Sequence, residues 1–204
     1  MLHYWLRNAY KTIRAGMHRD WSATFLLRGE YDRAIRACTK AVALKPEMVE
    51  AYIKRGMAFT ETGDYDAAIA DFDHAMTLSP KNAEIQMRRG LAYYYRGDFD
   101  EALYNYNLAI FYDPAQSTAY ICRGLVEQSL NDLDGAITNF NTAIRVNPQN
   151  VVAYRRRADV LVLQGRLREA IADYMAYLRL GLMQPYTKRQ EVVALVTDLR
   201  DQIN

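Results

Sequence analysis

The residues best suited to chemistry in this chain are carboxylates: Asp64, Asp66, Asp98, Asp100, Glu101, Asp132 and Asp134 recur at regular intervals. Converging carboxylate oxygens would bind a hard cation, and an acid set beside a base would move protons. The spacing argues against both, because these residues arrive one or two at a time at places where helices begin. There a negative charge caps free amides and complements the helix dipole. His3, His18 and His74 share no helix face with a second ligand type at metal spacing. Cys38 and Cys122, 84 residues apart, form neither a disulfide framework nor a zinc motif and read as reduced thiols. No glycine-rich phosphate loop or nucleophile elbow is present. The chain therefore offers no catalytic, cofactor-binding or metal-binding candidate, and the expectation is a protein that is not an enzyme and carries no cofactor.

Arginine could do different work. Arg155, Arg156, Arg157, Arg166 and Arg168 cluster near the C terminus, but three consecutive residues on a helix point about 100° apart and make no basic stripe. Arg157 also falls in register with Arg55, Arg89 and Arg123. A repeated place suggests a structural task, with the aliphatic stem on a neighbouring helix and the guanidinium on a carboxylate. Net charge is only +2, so nucleic acid is not an expected partner. The distribution is uneven: residues 1–48 hold nine Lys/Arg against four Asp/Glu, residues 49–116 six against eleven, and residues 117–204 eleven against nine. A basic start beside an acidic middle could orient a partner, allow head-to-tail self-association, or merely solvate the surface.

The elements that position these groups follow from proline. Pro46, Pro80, Pro114 and Pro148 stand 34 residues apart, a period that marks stacked helical hairpins. Aligned on it, each block has a small residue in its first helix (Gly56, Gly90, Gly124, Ala158) and a stop seven residues later at Gly63, Gly97, Asn131 or Gly165. The second helix carries Ala68, Ala102, Ala136 or Ala170, then Phe72, Tyr106, Phe140 or Tyr174 four residues on, with a further alanine at Ala75, Ala109 and Ala143. Small residues flanking a ring on one face let two helices approach while the ring fills the gap. A weaker copy runs from Ala15 to Met48, with Cys38 where the ring would stand.

This order of aromatic, small, glycine, alanine, aromatic, alanine and proline resembles the tetratricopeptide repeat, over residues 15–184. The resemblance implies an all-α, right-handed solenoid of about five hairpins, 15–48, 49–82, 83–116, 117–150 and 151–184. An N-terminal amphipathic helix, 1–14, and a C-terminal capping helix, 185–204, complete it. The fifth copy departs from the pattern at Ala158, Tyr177 and Leu182, as end repeats do when one face meets a cap.

First helices line the concave surface in this family, so the resemblance implies a groove of Ile53, Lys54, Met57, Met87, Arg88, Leu91, Tyr94, Tyr95, Ile121, Leu125 and Arg155. Part of that apolar stripe must instead seal adjacent repeats. The block from Tyr93 to Tyr112 is richer in rings than the pattern requires, and tyrosine suits interfaces. Chaperone-tail clamps of this family need lysine and paired asparagines on these faces; here Ile53, Met57, Met87 and Leu91 surround Lys54 and Arg88. An amphipathic helix or apolar peptide fits better.

Both ends are amphipathic. Val192, Leu195, Val196, Leu199 and Ile203 follow Pro185 and a Thr187 to Gln190 capping box, and read as a cap on the last repeat. Leu2, Trp5, Leu6, Ala9 and Ile13 make one face of the first helix, with Arg7, Lys11 and Arg14 beside it. That helix is either a cap or a device for docking on an anionic membrane or a partner. The expected function is a scaffold or adaptor that binds a protein or peptide partner during assembly of a complex. A self-associating structural subunit and a peripheral membrane adaptor are the alternatives. No stretch reaches the ~20 apolar residues of a membrane span. The expected compartment is the cytoplasm, with membrane association and a removed signal peptide left open.

Overall fold

The computed structural model describes the backbone of residues 2–181 and 186–203 and the side chains of residues 8–181 and 188–203. The chain divides into two compact units, Met1–Tyr112 and Asp113–Asn204. Among the described residues every element is an α-helix. The first unit holds α1 (Leu2–Leu27), α2 (Tyr31–Leu44), α3 (Val49–Thr62), α4 (Tyr65–Leu78), α5 (Ala83–Arg96) and α6 (Phe99–Tyr112). The second holds α7 (Ser117–Ser129), α8 (Leu133–Val146), α9 (Val151–Leu163), α10 (Leu167–Leu180) and α11 (Tyr186–Asp201).

Local sequence sets these boundaries. The turns inside the hairpins pass through Gly29, Gly63, Gly97, Asn131 and Gly165, all at positive φ, the region glycine reaches freely and asparagine tolerates. Asp64 and Asp132 accept hydrogen bonds from the Ala67 and Gly135 amides at 3.2 and 3.0 Å, so these carboxylates are helix caps. Each of the four periodic prolines stands two residues beyond a helix end, where the missing N–H costs nothing.

Packing then follows the small-and-ring pattern. Within the first unit consecutive helices pack pairwise, and the first helices α1, α3 and α5 also touch in sequence; in the second, α7 to α11 pack pairwise in order and α7 also touches α9. Phe72, Tyr106 and Phe140 are fully buried opposite Gly56, Gly90 and Gly124. At each of these glycines an added Cβ would stand 2.8 Å from the ring, so the hairpin closes only without it.

The recurring arginines tie hairpins together. Arg55 donates from Nε and Nη2 to both oxygens of Asp71 at 2.8 and 2.7 Å, and from Nη1 to Thr39 at 3.2 Å. Arg89 bonds Asn105 at 2.7 Å and Asp73 at 2.6 Å. In the second unit Arg157 holds Asp173 at 2.7 and 2.6 Å and Asn141 at 2.6 Å, and Arg123 bonds Asn139 at 2.8 Å. Arg55, Arg89 and Arg157 each reach 16 residues forward, into their own second helix, and 16 back, into the preceding one. The first hairpin lacks the device: Trp21 and Ala37 occupy the places of the arginine and its forward acceptor.

The ends differ from one another. In the second unit α11 buries Val192, Val196 and Leu199 and packs on α10. It begins at Tyr186, one residue ahead of the expected Thr187 cap, and Pro185 lies outside the described residues. At the N terminus the segment 1–14 is not a separate element: α1 runs unbroken for 26 residues, because no stop separates it from the first helix of the repeat. Gly16 sits within that helix at negative φ and ends nothing. The side chains of Leu2, Trp5, Leu6 and Arg7 lie outside the described residues. Ala9 is half-buried and Ile13 is exposed, so the face expected for these residues turns partly to solvent.

His18 is buried in the α1–α2 hairpin, and its pKa lies below the ordinary 6.5, first because burial disfavours the imidazolium and then because Lys40 and Arg14 are near. The native state thus binds its proton less readily than the unfolded chain. Stability carried by neutral His18 is complete above pH 6.5 and falls as the pH drops towards the lowered value. Thermal melts taken from neutral to mildly acidic pH are expected to show this decline, and His18→Gln is expected to flatten it.

Candidate interaction groove

A cleft of about 390 Å³ opens in the first unit along the first helices of its three hairpins. Ala23, Leu26 and Leu27 of α1 form one wall; Ile53 and Met57 of α3 continue the apolar floor. Leu27, the last residue of α1, is 90% exposed and adjoins this apolar floor, so the exposed apolar surface is continuous and not a lone side chain. The rim alternates Glu50 and Lys54 of α3 with Glu84 and Arg88 of α5. Arg88 donates from Nε to Glu84 at 2.9 Å, so the rim is close to neutral and does not call for a charged ligand. A smaller hollow shares Met57 and Arg88 and adds Leu91, Thr60 and Glu61, which extends the apolar track along α5.

The expected groove residues are therefore sorted by the packing. Ile53, Lys54, Met57 and Arg88 line the cleft, and Leu91 lies in the adjoining hollow. Ile53 and Met87 are both buried, so Ile53 offers the cleft only an edge and Met87 lies outside its lining. Tyr94 and Tyr95 lie outside both sets of lining residues. Tyr94 packs against Phe99 with ring centroids 5.8 Å apart, and Tyr95 stacks on Tyr65 at 6.2 Å. In the second unit Ile121 is buried and Leu125 half-buried, while the Arg155 guanidinium lies over the Tyr177 ring at 5.8 Å. Beside it Asp159 accepts a hydrogen bond from the Tyr174 hydroxyl at 2.8 Å; burial pushes this carboxyl up, partly offset by that bond. Among the described residues no group of three or more His, Cys, Asp and Glu is placed to hold a metal ion, and no helix is long and apolar enough to cross a membrane.

Three family models match the chain: two described as tetratricopeptide repeat, over residues 23–92 and 121–181, and one as TPR repeat, over residues 90–129. The chain is a tetratricopeptide repeat protein. Among curated proteins none matches it. Solved structures share its fold. The crystal structure of MamA is 24% identical with a TM-score of 0.65, covering 82% of this chain and 91% of that one. TTC0263, a thermophilic TPR protein in Thermus thermophilus, is 19% identical with a TM-score of 0.76, covering 91% and 98%. YrrB, a TPR protein with an unusual peptide-binding site, is 16% identical with a TM-score of 0.58, covering 80% and 84%.

In this tetratricopeptide repeat protein the cleft residues that the sequence reading missed are Ala23, Leu26, Leu27, Glu50 and Glu84. The signal for three of them was present. Moving back 34 residues from Met57, which the sequence places in the groove, and from Thr60 and Glu61 one turn further along the same helix lands on Ala23, Leu26 and Leu27. The first hairpin, though its pattern is weak, keeps the register of the groove.

Proposed function

We propose that this protein is a non-catalytic scaffold that holds one apolar face of a partner's helix or peptide in the cleft of α1, α3 and α5, in the course of assembling a larger complex. Membership of the tetratricopeptide repeat family supports an interaction scaffold. The observation that carries the specific reading is the apolar floor of the cleft with Leu27 standing almost fully in solvent. A helix laid there would cover that leucine and present its own residues at i, i+3, i+4 and i+7 spacing to Ile53 and Met57. Its polar side would meet a rim whose charges are already balanced. The unusual peptide-binding site of YrrB is consistent with this use of the fold.

The test is a selection of random peptides on the intact chain, followed by affinities for Leu27→Glu and Leu91→Glu. Selected peptides are expected to carry helical apolar spacing and to bind each variant at least about 100-fold more weakly, since a charge would enter a desolvated contact. Circular dichroism checks that the variants keep their helices. Peptides that bind the folded variants as well as the parent would place recognition elsewhere.

A further inference from the structure

We infer that the outer face of α1 and α2 is a docking surface for an anionic lipid bilayer. Four bulky side chains stand in line on α1: Tyr10, Ile13, Met17 and Trp21 are 58, 65, 47 and 49% exposed. Their spacing of three or four residues keeps them on one face, a ridge about 17 Å long on a straight helix. Helix α1 has 26 residues and its partner α2 has 14, so the first turns of α1, with Tyr10 and Ile13, run past the hairpin, while Met17 and Trp21 lie beside α2 with about half their surface in solvent.

Cations flank the ridge. Trp21 and Phe25 share a hollow of about 210 Å³ with Arg33, Arg36 and Lys40 of α2, and no carboxylate lines it. Arg33 lies over the Phe25 ring at 4.2 Å and is paired with Glu30. Arg14 bonds the Tyr10 hydroxyl at 3.1 Å, which brings positive charge to the other end of the ridge. Residues 8–45 carry eight Lys/Arg and three Asp/Glu, and of the three Asp20 is paired with Arg19 and Glu30 with Arg33. Burial first, and then Lys40 and Arg14, lower the pKa of His18 beneath this face.

The same features decide the occupant. A second copy meeting this face isologously would set two basic surfaces against each other. This face also lacks the device that joins repeats elsewhere, since Trp21 stands at the place of Arg55, Arg89 and Arg157, each of which reaches back into the preceding hairpin. An apolar ridge with tryptophan and tyrosine at its edges and lysine and arginine around it is the composition of a helix lying at a membrane interface. The phosphates of anionic lipids would face Arg36 and Lys40 while Ile13 and Met17 enter the acyl boundary.

Flotation of the full chain with vesicles tests this. Binding is expected to vesicles of phosphatidylcholine mixed with phosphatidylserine, and not to phosphatidylcholine alone, with affinity falling as salt rises. Met17→Ser/Trp21→Ser and Arg36→Gln/Lys40→Gln are each expected to weaken it about tenfold or more. The protein has two tryptophans, so in a Trp5→Phe background the emission of Trp21 alone is expected to shift to the blue on anionic vesicles. Circular dichroism confirms that the variants are folded. No binding to anionic vesicles, or binding by folded variants equal to the parent, would overturn the inference. So would light scattering that shows a dimer in the parent but not in Met17→Ser/Trp21→Ser, because the face would then belong to a second copy.

Discussion

Replacing Arg55 by methionine is expected to lower stability by about 3 kcal/mol. The Asp71 side chain is 8% exposed and receives two guanidinium hydrogen bonds at 2.8 and 2.7 Å. Methionine fills the volume of the stem but leaves that carboxylate without its cation where water scarcely reaches. Arg55 itself keeps some solvent contact, which puts the loss at the low end of the ~3–5 kcal/mol for breaking a buried pair. The bond to Thr39 disappears as well, so the joint between the first two hairpins weakens together with the second hairpin. Removing both charges, as Arg55→Met with Asp71→Leu, is expected to recover most of the loss, because no buried charge is then stranded. Urea midpoints of the two single variants and the double variant decide the matter. A single variant that melts like the parent would mean that solvent screens the pair and that it does not hold the joint.

The second large effect is steric. A Cβ on Gly90 would stand 2.8 and 3.0 Å from two carbons of the Tyr106 ring and 3.1 Å from the Cβ of Asn105. Tyr106 is fully buried, so its ring has nowhere to retreat except by separating α5 from α6. Gly90→Ala is expected to cost about 1–3 kcal/mol by overpacking, even though alanine favours a helix by about 1 kcal/mol over glycine. Gly16 is the control. It is also helical, but a Cβ there meets nothing within 4 Å, and Gly16→Ala is expected to stabilise by about 0.5–1 kcal/mol. Opposite shifts in the two melting temperatures would separate packing from propensity; equal shifts would show that hairpin closure does not depend on Gly90.

These two sites differ in how far the sequence discloses them. Gly90 is legible as the small residue opposite a ring, because hairpin packing repeats with the chain period and is short in range. Arg55 is legible as a repeated place with a structural task, but not its acceptors, since Asp71 and Thr39 lie on two different helices and only the hairpin and its neighbour bring them to one guanidinium.

What the sequence by itself determined is what local sterics dictate. The positive-φ stops at Gly63, Gly97, Asn131 and Gly165, the caps at Asp64 and Asp132, and the breaks before the prolines depend on a few neighbouring residues. Exposure does not. Met57 and Leu91 share a stripe with Ile53, Met87 and Ile121, yet neighbouring helices bury Ile53, Met87 and Ile121 and leave Met57 and Leu91 half-buried at or beside a cleft. Leu27 belongs to the same stripe through a repeat whose pattern is faint. The continuity of α1 was equally hidden, because a repeat boundary in the register is not a stop in the backbone, and nothing between residues 8 and 27 breaks the helix. Which apolar side chains seal the stack and which wait for a partner is decided by how closely adjacent helices approach, a quantity set by the whole tertiary stack and by no single segment of it.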